Sequence, residues 1–157
     1  MAGSTDSGEK LIVENRRARH DYHLGDRFEA GVVLQGTEVK SLRGGKATLQ
    51  HAYAEVRGEE VWLAGLHVPE YTEGNRANHE PDRLRKLLLH RKEIERIASG
   101  VAEKGFTVVP TRLYFKGGRV KVELALAKGK DVHDKRHDIV ARDAKRQIER
   151  ELKSLRR

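Results

Sequence analysis

From Val120 to Ala127 the chain alternates, with Val120, Val122, Leu124 and Leu126 on one side and Lys121, Glu123, Ala125 and Ala127 on the other. Strict period two is the pattern of a half-buried strand. Residues 106–115 form a second extended run, and Lys116-Gly117-Gly118-Arg119 joins the two, so the pattern predicts an antiparallel hairpin on a glycine turn. Residues 53–68 break in the same way at Gly58 and predict a second hairpin, which Pro69 ends because it has no N–H to donate. Residues 28–39 are apolar and β-branched with interruptions at Gly31 and Gly36, which predicts a bent strand. Ser41-Leu42-Arg43 before Gly44 and Gly45 predicts a short helical turn. Residues 73–82 have no periodicity and predict a loop, whereas in residues 85–104 Leu88, Ile94 and Ile97 fall near helical spacing and predict one helix.

Short strands with glycine turns around one helical insertion predict a mainly β fold. The expected architecture is a small closed β-barrel of the oligonucleotide-binding type with flanking helices, because closure removes exposed strand edges. The leader is small and polar and structure is expected near Leu11, which divides the chain into a flexible leader at 1–10, a barrel domain at 11–130 and a basic tail at 131–157. A helix through the tail would align Ala141, Ala144, Ile148, Leu152 and Leu155, a stripe too thin to hold it on a core. The tail is therefore expected to be disordered when free and helical against a partner.

Charge narrows the function. Lys and Arg number 32 against 24 Asp and Glu in 157 residues, and charged residues make up 36% of the chain. Residues 128–157 hold eleven Lys or Arg against six Asp or Glu, so five of the net +8 lie there. That balance is the footprint expected of a nucleic-acid binder, although an anionic membrane would attract it too, and charge alone decides neither. Aromatics are only 5%, too few for a stacking platform along a single strand, which favours a folded RNA held by phosphates, ribose hydroxyls and shape. With no cysteine, disulfides, thiolate metal sites and Cys nucleophiles are excluded. No apolar run approaches the roughly 18 residues of a membrane span and the leader does not read as a signal peptide, so a cytoplasmic protein without membrane association is expected.

Enzyme motifs are absent. Gly44-Gly45-Lys46 resembles the end of a phosphate loop, but Lys40 stands where the first glycine belongs and Ala47 where Ser or Thr would hold magnesium. His133 and His137 lie one helical turn apart without a fixed third ligand, so neither metal nor other cofactor is expected. A non-catalytic RNA binder remains.

Five segments carry a more specific likeness: Asn15-Arg16-Arg17-Ala18-Arg19-His20-Asp21-Tyr22; Phe28-Glu29-Ala30-Gly31 with Gly36-Thr37-Glu38-Val39-Lys40-Ser41-Leu42-Arg43; Arg85-Lys86-Leu87-Leu88-Leu89-His90; Leu124-Ala125-Leu126-Ala127-Lys128-Gly129-Lys130; and His133-Asp134-Lys135-Arg136. In this order they resemble the SsrA-binding protein family, also called small protein B. The resemblance implies an oligonucleotide-binding-like barrel and an adaptor of trans-translation, the rescue of stalled bacterial ribosomes. One barrel face would hold the tRNA-like domain of transfer-messenger RNA, with Glu29, Leu88 and Lys121 matching the family's contact patch. Asn15, Arg17, His20 and Tyr22 match a neighbouring RNA-binding motif, and Lys128 and Lys130 fit phosphate contacts by charge. In the tail, His133, Asp134, Lys135 and Arg136 match the motif that engages small-subunit RNA in a vacant decoding centre and messenger channel. Alanyl-tRNA synthetase and elongation factor Tu would be indirect partners through the RNA, with the protein a monomer. Asp131 and Ala144 depart from the family's usual Lys and, in some members, aromatic residue. A general RNA-binding barrel without a rescue role is the alternative, and the His-Asp-Lys-Arg motif heading a basic tail counts against it.

Overall fold

The computed structural model describes residues 8–73, 78–103, 105–130 and 132–155. Its organising unit is the glycine-turn hairpin. Strand β6 (Phe106–Lys116) pairs with β7 (Arg119–Gly129) from Phe106↔Lys128 to Lys116↔Arg119. Gly117 and Gly118 both take positive φ, 58° and 77°, which a two-residue hairpin turn requires and side-chain-bearing residues resist.

On the far edge of β7 lies β2 (Tyr22–Val32), followed outward by β5 (Arg85–Leu88), β4 (Glu60–Ala64) and β3 (Tyr53–Arg57). β3 meets β6 at Ala54↔Val108, so the antiparallel pairings return to the strand where they began. Beyond the irregularity after Pro110, the same edge of β6 is taken by β1 (Glu9–Glu14). Phe28, Ala30, Val61, Leu63, Leu87, Val108, Leu113, Val122 and Leu124 point inward, joined by Leu42, Leu49, Leu66 and Ile97 from helices and loops.

The connections depart from the sequence pattern in three places, each for a physical reason. The run 28–39 is not one strand, since β2 stops at Val32 and helix α2 (Gly36–Arg43) follows. The Gln35 N–H donates to the Glu38 carboxylate at 2.8 Å, closing the first turn of that helix. Residues 85–88 are a strand rather than the start of a helix; α3 spans Arg91–Ala102, and the His90 N–H donates to Glu93 at 3.0 Å where it begins. The gap between β4 and β2 claims Arg85–Leu88, so sheet pairing overrides local periodicity. A short helix, α1 (Arg16–Asp21), precedes β2 and had no apolar period to announce it. It sits close because the residues beneath it are small: Ala18 packs on Val109 and Ala127 in a second, minor cluster.

The two misread segments are tied together. Glu38 on α2 and Arg85 on β5 are fully buried and ion-paired. Arg85 also donates to the carbonyls of Leu66 at 2.6 Å and of Arg83 and Pro81 at 3.0 Å, and Arg83 makes a second ion pair with Glu38.

The tail is helical, with α4 spanning Val132–Leu155. At 24 residues rich in strong helix formers it exceeds the roughly 12–15 residues below which isolated helices are marginal, which is why helix appears without a partner. Every side chain described in α4 is exposed, Ile148 and Leu152 included, and where the helix approaches α1 a shallow groove is lined by Glu14, Arg16, Arg19, Ala141 and Arg142. Deleting residues 133–157 is therefore expected to shift the melting temperature of the sheet by no more than about 2 °C, since little apolar area is lost. Calorimetry of the truncated chain checks this, and a drop of about 10 °C would mean that α4 packs on the body.

Candidate nucleic-acid interface

Two clusters of the sequence-marked residues form, on neighbouring parts of one sheet. The first is α1 and its exit. Asn15 caps the helix, its Oδ1 accepting from the Ala18 N–H at 3.3 Å, while Nδ2 donates to the carbonyls of Pro110 at 2.9 Å and Leu49 at 3.3 Å. It is 6% exposed, so its polar atoms hold α1 on β6 rather than facing solvent. Asp21 organises the other end: Arg17 Nε donates to it at 3.1 Å and His20 Nδ1 lies 2.8 Å from its other oxygen. Lys130 closes the turn, its backbone N–H donating to the Asp21 carbonyl at 2.9 Å and its ammonium to the Arg19 carbonyl at 3.1 Å, where a cation offsets the negative end of the helix. Lys128 is exposed, 5.9 Å from the centroid of the Phe106 ring. Arg17, Asp21 and Tyr22 line one wall of a cleft of about 380 Å³, and Gln50, His51 and Tyr53 line the other. None of those last three was singled out from the sequence, and the exposed Tyr53 ring on a strand end is the signal that was available.

The second cluster is built by register. Gly31 on β2 pairs with Leu88 on β5 and with Lys121 on β7, and Glu29 lies two residues back on the same outer face. Residues from three separate segments thus share one patch. The Leu88 side chain lies across Gly31, so close that a Cβ at position 31 would already be in van der Waals contact with it, at 3.4 Å. Leu88 remains 55% exposed, an apolar side chain held outward among charges.

Glu29 is fixed by neighbours the sequence reading missed. Tyr114 donates to its carboxylate, and the Lys116 ammonium lies 3.2 Å away. The Tyr114 hydrogen bond holds the Glu29 carboxyl below the usual carboxylate range against the opposing effect of burial, with Lys116 and Lys121 adding to it. Burial and the Glu29 carboxylate push the Tyr114 phenol well up, so it remains a donor throughout the physiological range. The Arg112 guanidinium stacks on the Tyr114 ring, 4.2 Å from its centroid, and pairs with Glu9 at 3.0 Å and Glu123 at 3.5 Å. Tyr114 was legible in principle. The two-residue turn sets the hairpin register, and counting back from it places Tyr114 opposite Lys121. Among the described residues Lys121 forms no ion pair, which leaves its charge available beside an anchored acid and an exposed leucine.

The four tail positions lie at the start of α4. Arg136 is exposed, while the side chains of His133, Asp134 and Lys135 lie outside the described residues.

These features define a small antiparallel β protein with a prefolded, cation-bearing face and a projecting basic helix, the class of protein that holds folded polyanions. The chain matches the family model described as SmpB protein over residues 12–154, and it belongs to that family. It is 58% identical over 146 residues to the SsrA-binding protein of Thermobifida fusca, an alignment covering 93% of this chain and 91% of the relative. Over 146 residues it is 56% identical to the SsrA-binding protein of Geobacter sulfurreducens, covering 93% and 95%. A solved chain described as "tmRNA-SmpB: a journey to the center of the bacterial ribosome" superposes with a TM-score of 0.66 at 47% identity, covering 76% of this chain and 85% of that one.

Proposed function

We propose that the chain is an RNA-binding adaptor of trans-translation, which holds the tRNA-like domain of transfer-messenger RNA on its outer sheet face and delivers it to stalled ribosomes in the cytoplasm. The observation that carries this reading is the meeting of Glu29, Leu88 and Lys121 across three paired strands. The patch offers three kinds of contact to an RNA surface: a fixed carboxylate for ribose hydroxyls or base amines, an apolar side chain for an unstacked base face, and a lysine for phosphate. The continuous circuit of pairings is read as an oligonucleotide-binding-type closed barrel, rigid enough to keep that patch formed before RNA arrives. Arg17, His20, Tyr22, Lys128 and Lys130 extend the surface, with Asn15 as its structural anchor. No catalytic step or cofactor is part of this reading. The protein acts as a monomer, and alanyl-tRNA synthetase and elongation factor Tu meet it through the RNA.

The tail forms the other end. Lying against the body only shallowly, α4 is free to enter an RNA-lined channel, where His133, Asp134, Lys135 and Arg136 engage ribosomal RNA and an occupying messenger would exclude it.

Lys121→Ala is expected to reduce the slope of log affinity against log salt for the tRNA-like domain by about 0.8, one phosphate's share, with the fold unaltered. A filter-binding titration between low and moderate salt measures it. An unchanged slope would remove Lys121 from the interface.

A further inference from the structure

A second cationic site lies around the rim from the patch, where the β6–β7 turn, β1 and the end of α2 come together. Lys10, Arg43, Phe115 and Gly118 line one groove of about 310 Å³. Lys10 is opposite Phe115 in the β1–β6 register, and Arg43 is the last residue of α2. Phe115 packs one side against the core and turns the rest toward the groove. The turn leaves the wall open, since nothing lies within 4 Å of where a Cβ would stand on Gly117 or Gly118.

Charge distinguishes this groove from the sheet face beside it. Arg112 and Lys116 on β6 are neutralised by Glu9, Glu123 and Glu29. Lys10, Arg43 and the turn residue Arg119 are all exposed, and none of them forms an ion pair among the described residues. Exposed cations without counter-charges, flanking an aromatic floor, match the two halves of a nucleotide: phosphates for the cations and a base face for the ring. Phe115 and Tyr114 are neighbours on β6 but face opposite sides of the sheet, so the groove lies around the strand end from the patch, where Tyr114 stands opposite Lys121.

We propose that this groove holds one nucleotide of the bound RNA, its base against Phe115 and its flanking phosphates between Lys10 and Arg43. The proposal rests on the RNA-binding reading above and adds a contact that the five sequence segments do not contain as a site.

The test uses the full chain with an in vitro transcript of the tRNA-like domain. The double variant Lys10→Ala/Arg43→Ala is expected to reduce the salt slope by about 1.6, two phosphates' share, while Lys92→Ala on exposed α3 leaves it unchanged. Phe115→Leu keeps an apolar side chain on the core and is expected to weaken binding about tenfold with the slope intact, as loss of one stacked base would. With 4-thiouridine in the transcript, ultraviolet cross-linking should label the peptide holding Phe115. A double variant with the unmodified slope, measured alongside a Lys121→Ala protein whose slope has dropped, would overturn the groove and spare the patch. Flat slopes in both would overturn the patch reading and the groove with it. Full affinity in Phe115→Leu would overturn the stacked base.

Discussion

Glu38→Ala is expected to destabilise the folded chain by about 3–5 kcal/mol at neutral pH, the range seen when one partner of a buried ion pair is removed. Arg85 is the reason. Its guanidinium is fully buried and does not lose its proton at accessible pH, so truncating Glu38 leaves a charge enclosed by the carbonyls of Leu66, Arg83 and Pro81 alone. Burial pushes the Glu38 carboxyl up, but hydrogen bonds from Arg83, the Gln35 N–H and Arg85 together hold it below the ordinary range. A folded-state value below the unfolded one stabilises the protein above the unfolded pKa, and that contribution is lost as pH falls through the folded value. The deficit of Glu38→Ala against the unmodified chain should therefore be full near pH 7 and shrink on strong acidification. Urea unfolding at the two pH values measures it, and a deficit under about 1 kcal/mol at pH 7 would show that the pair is not a structural anchor. The effect reaches the interface, because this pair locks α2, which carries Arg43, to β5, which carries Leu88.

The same pair explains what was legible in the sequence and what was not. The β6–β7 hairpin could be read directly, because strict alternation and a two-glycine turn both specify one register. Residues 36–39 were misread because they continue an apolar, β-branched run, and 85–88 because Leu88 falls into helical spacing with Ile94 and Ile97; a buried Glu–Arg pair cannot be told from two surface residues before the partner is known. The minor cluster under α1 was hidden for another reason. Ala127 falls on the polar side of the alternation, yet it is fully buried and small enough to let a helix lie against the strand. For the patch, the family likeness named Glu29, Leu88 and Lys121, but their adjacency depends on β5 pairing with β2, the strand the periodicity had assigned to a helix. Tyr114 and Lys116, which fix Glu29, carry no motif and follow only from register.

The largest functional effect is expected from reversing charge in the tail. The double substitution Lys135→Glu/Arg136→Glu should slow tagging of nascent chains on stalled ribosomes by at least about a hundredfold, while the complex with transfer-messenger RNA keeps its affinity. The magnitude follows from losing two charge-assisted contacts at about 1.5–3 kcal/mol each, before repulsion between the new carboxylates and RNA phosphates is added. The position within the helix makes the result interpretable. Both residues lie in the first turn or so of α4, which begins at Val132, and the positive end of a helix dipole favours acids over bases there. Glutamate at these positions should thus preserve or raise helix content, so lost tagging would report broken contact with RNA rather than an unravelled tail. Circular dichroism of the variant checks the helix, a gel-shift titration checks the RNA complex, and a reconstituted translation assay reads the tagging rate. Tagging at the unmodified rate would refute engagement by Lys135 and Arg136. A weakened RNA complex would instead mean that the start of the tail belongs to the surface that captures transfer-messenger RNA, beside Lys128 and Lys130 at the end of β7.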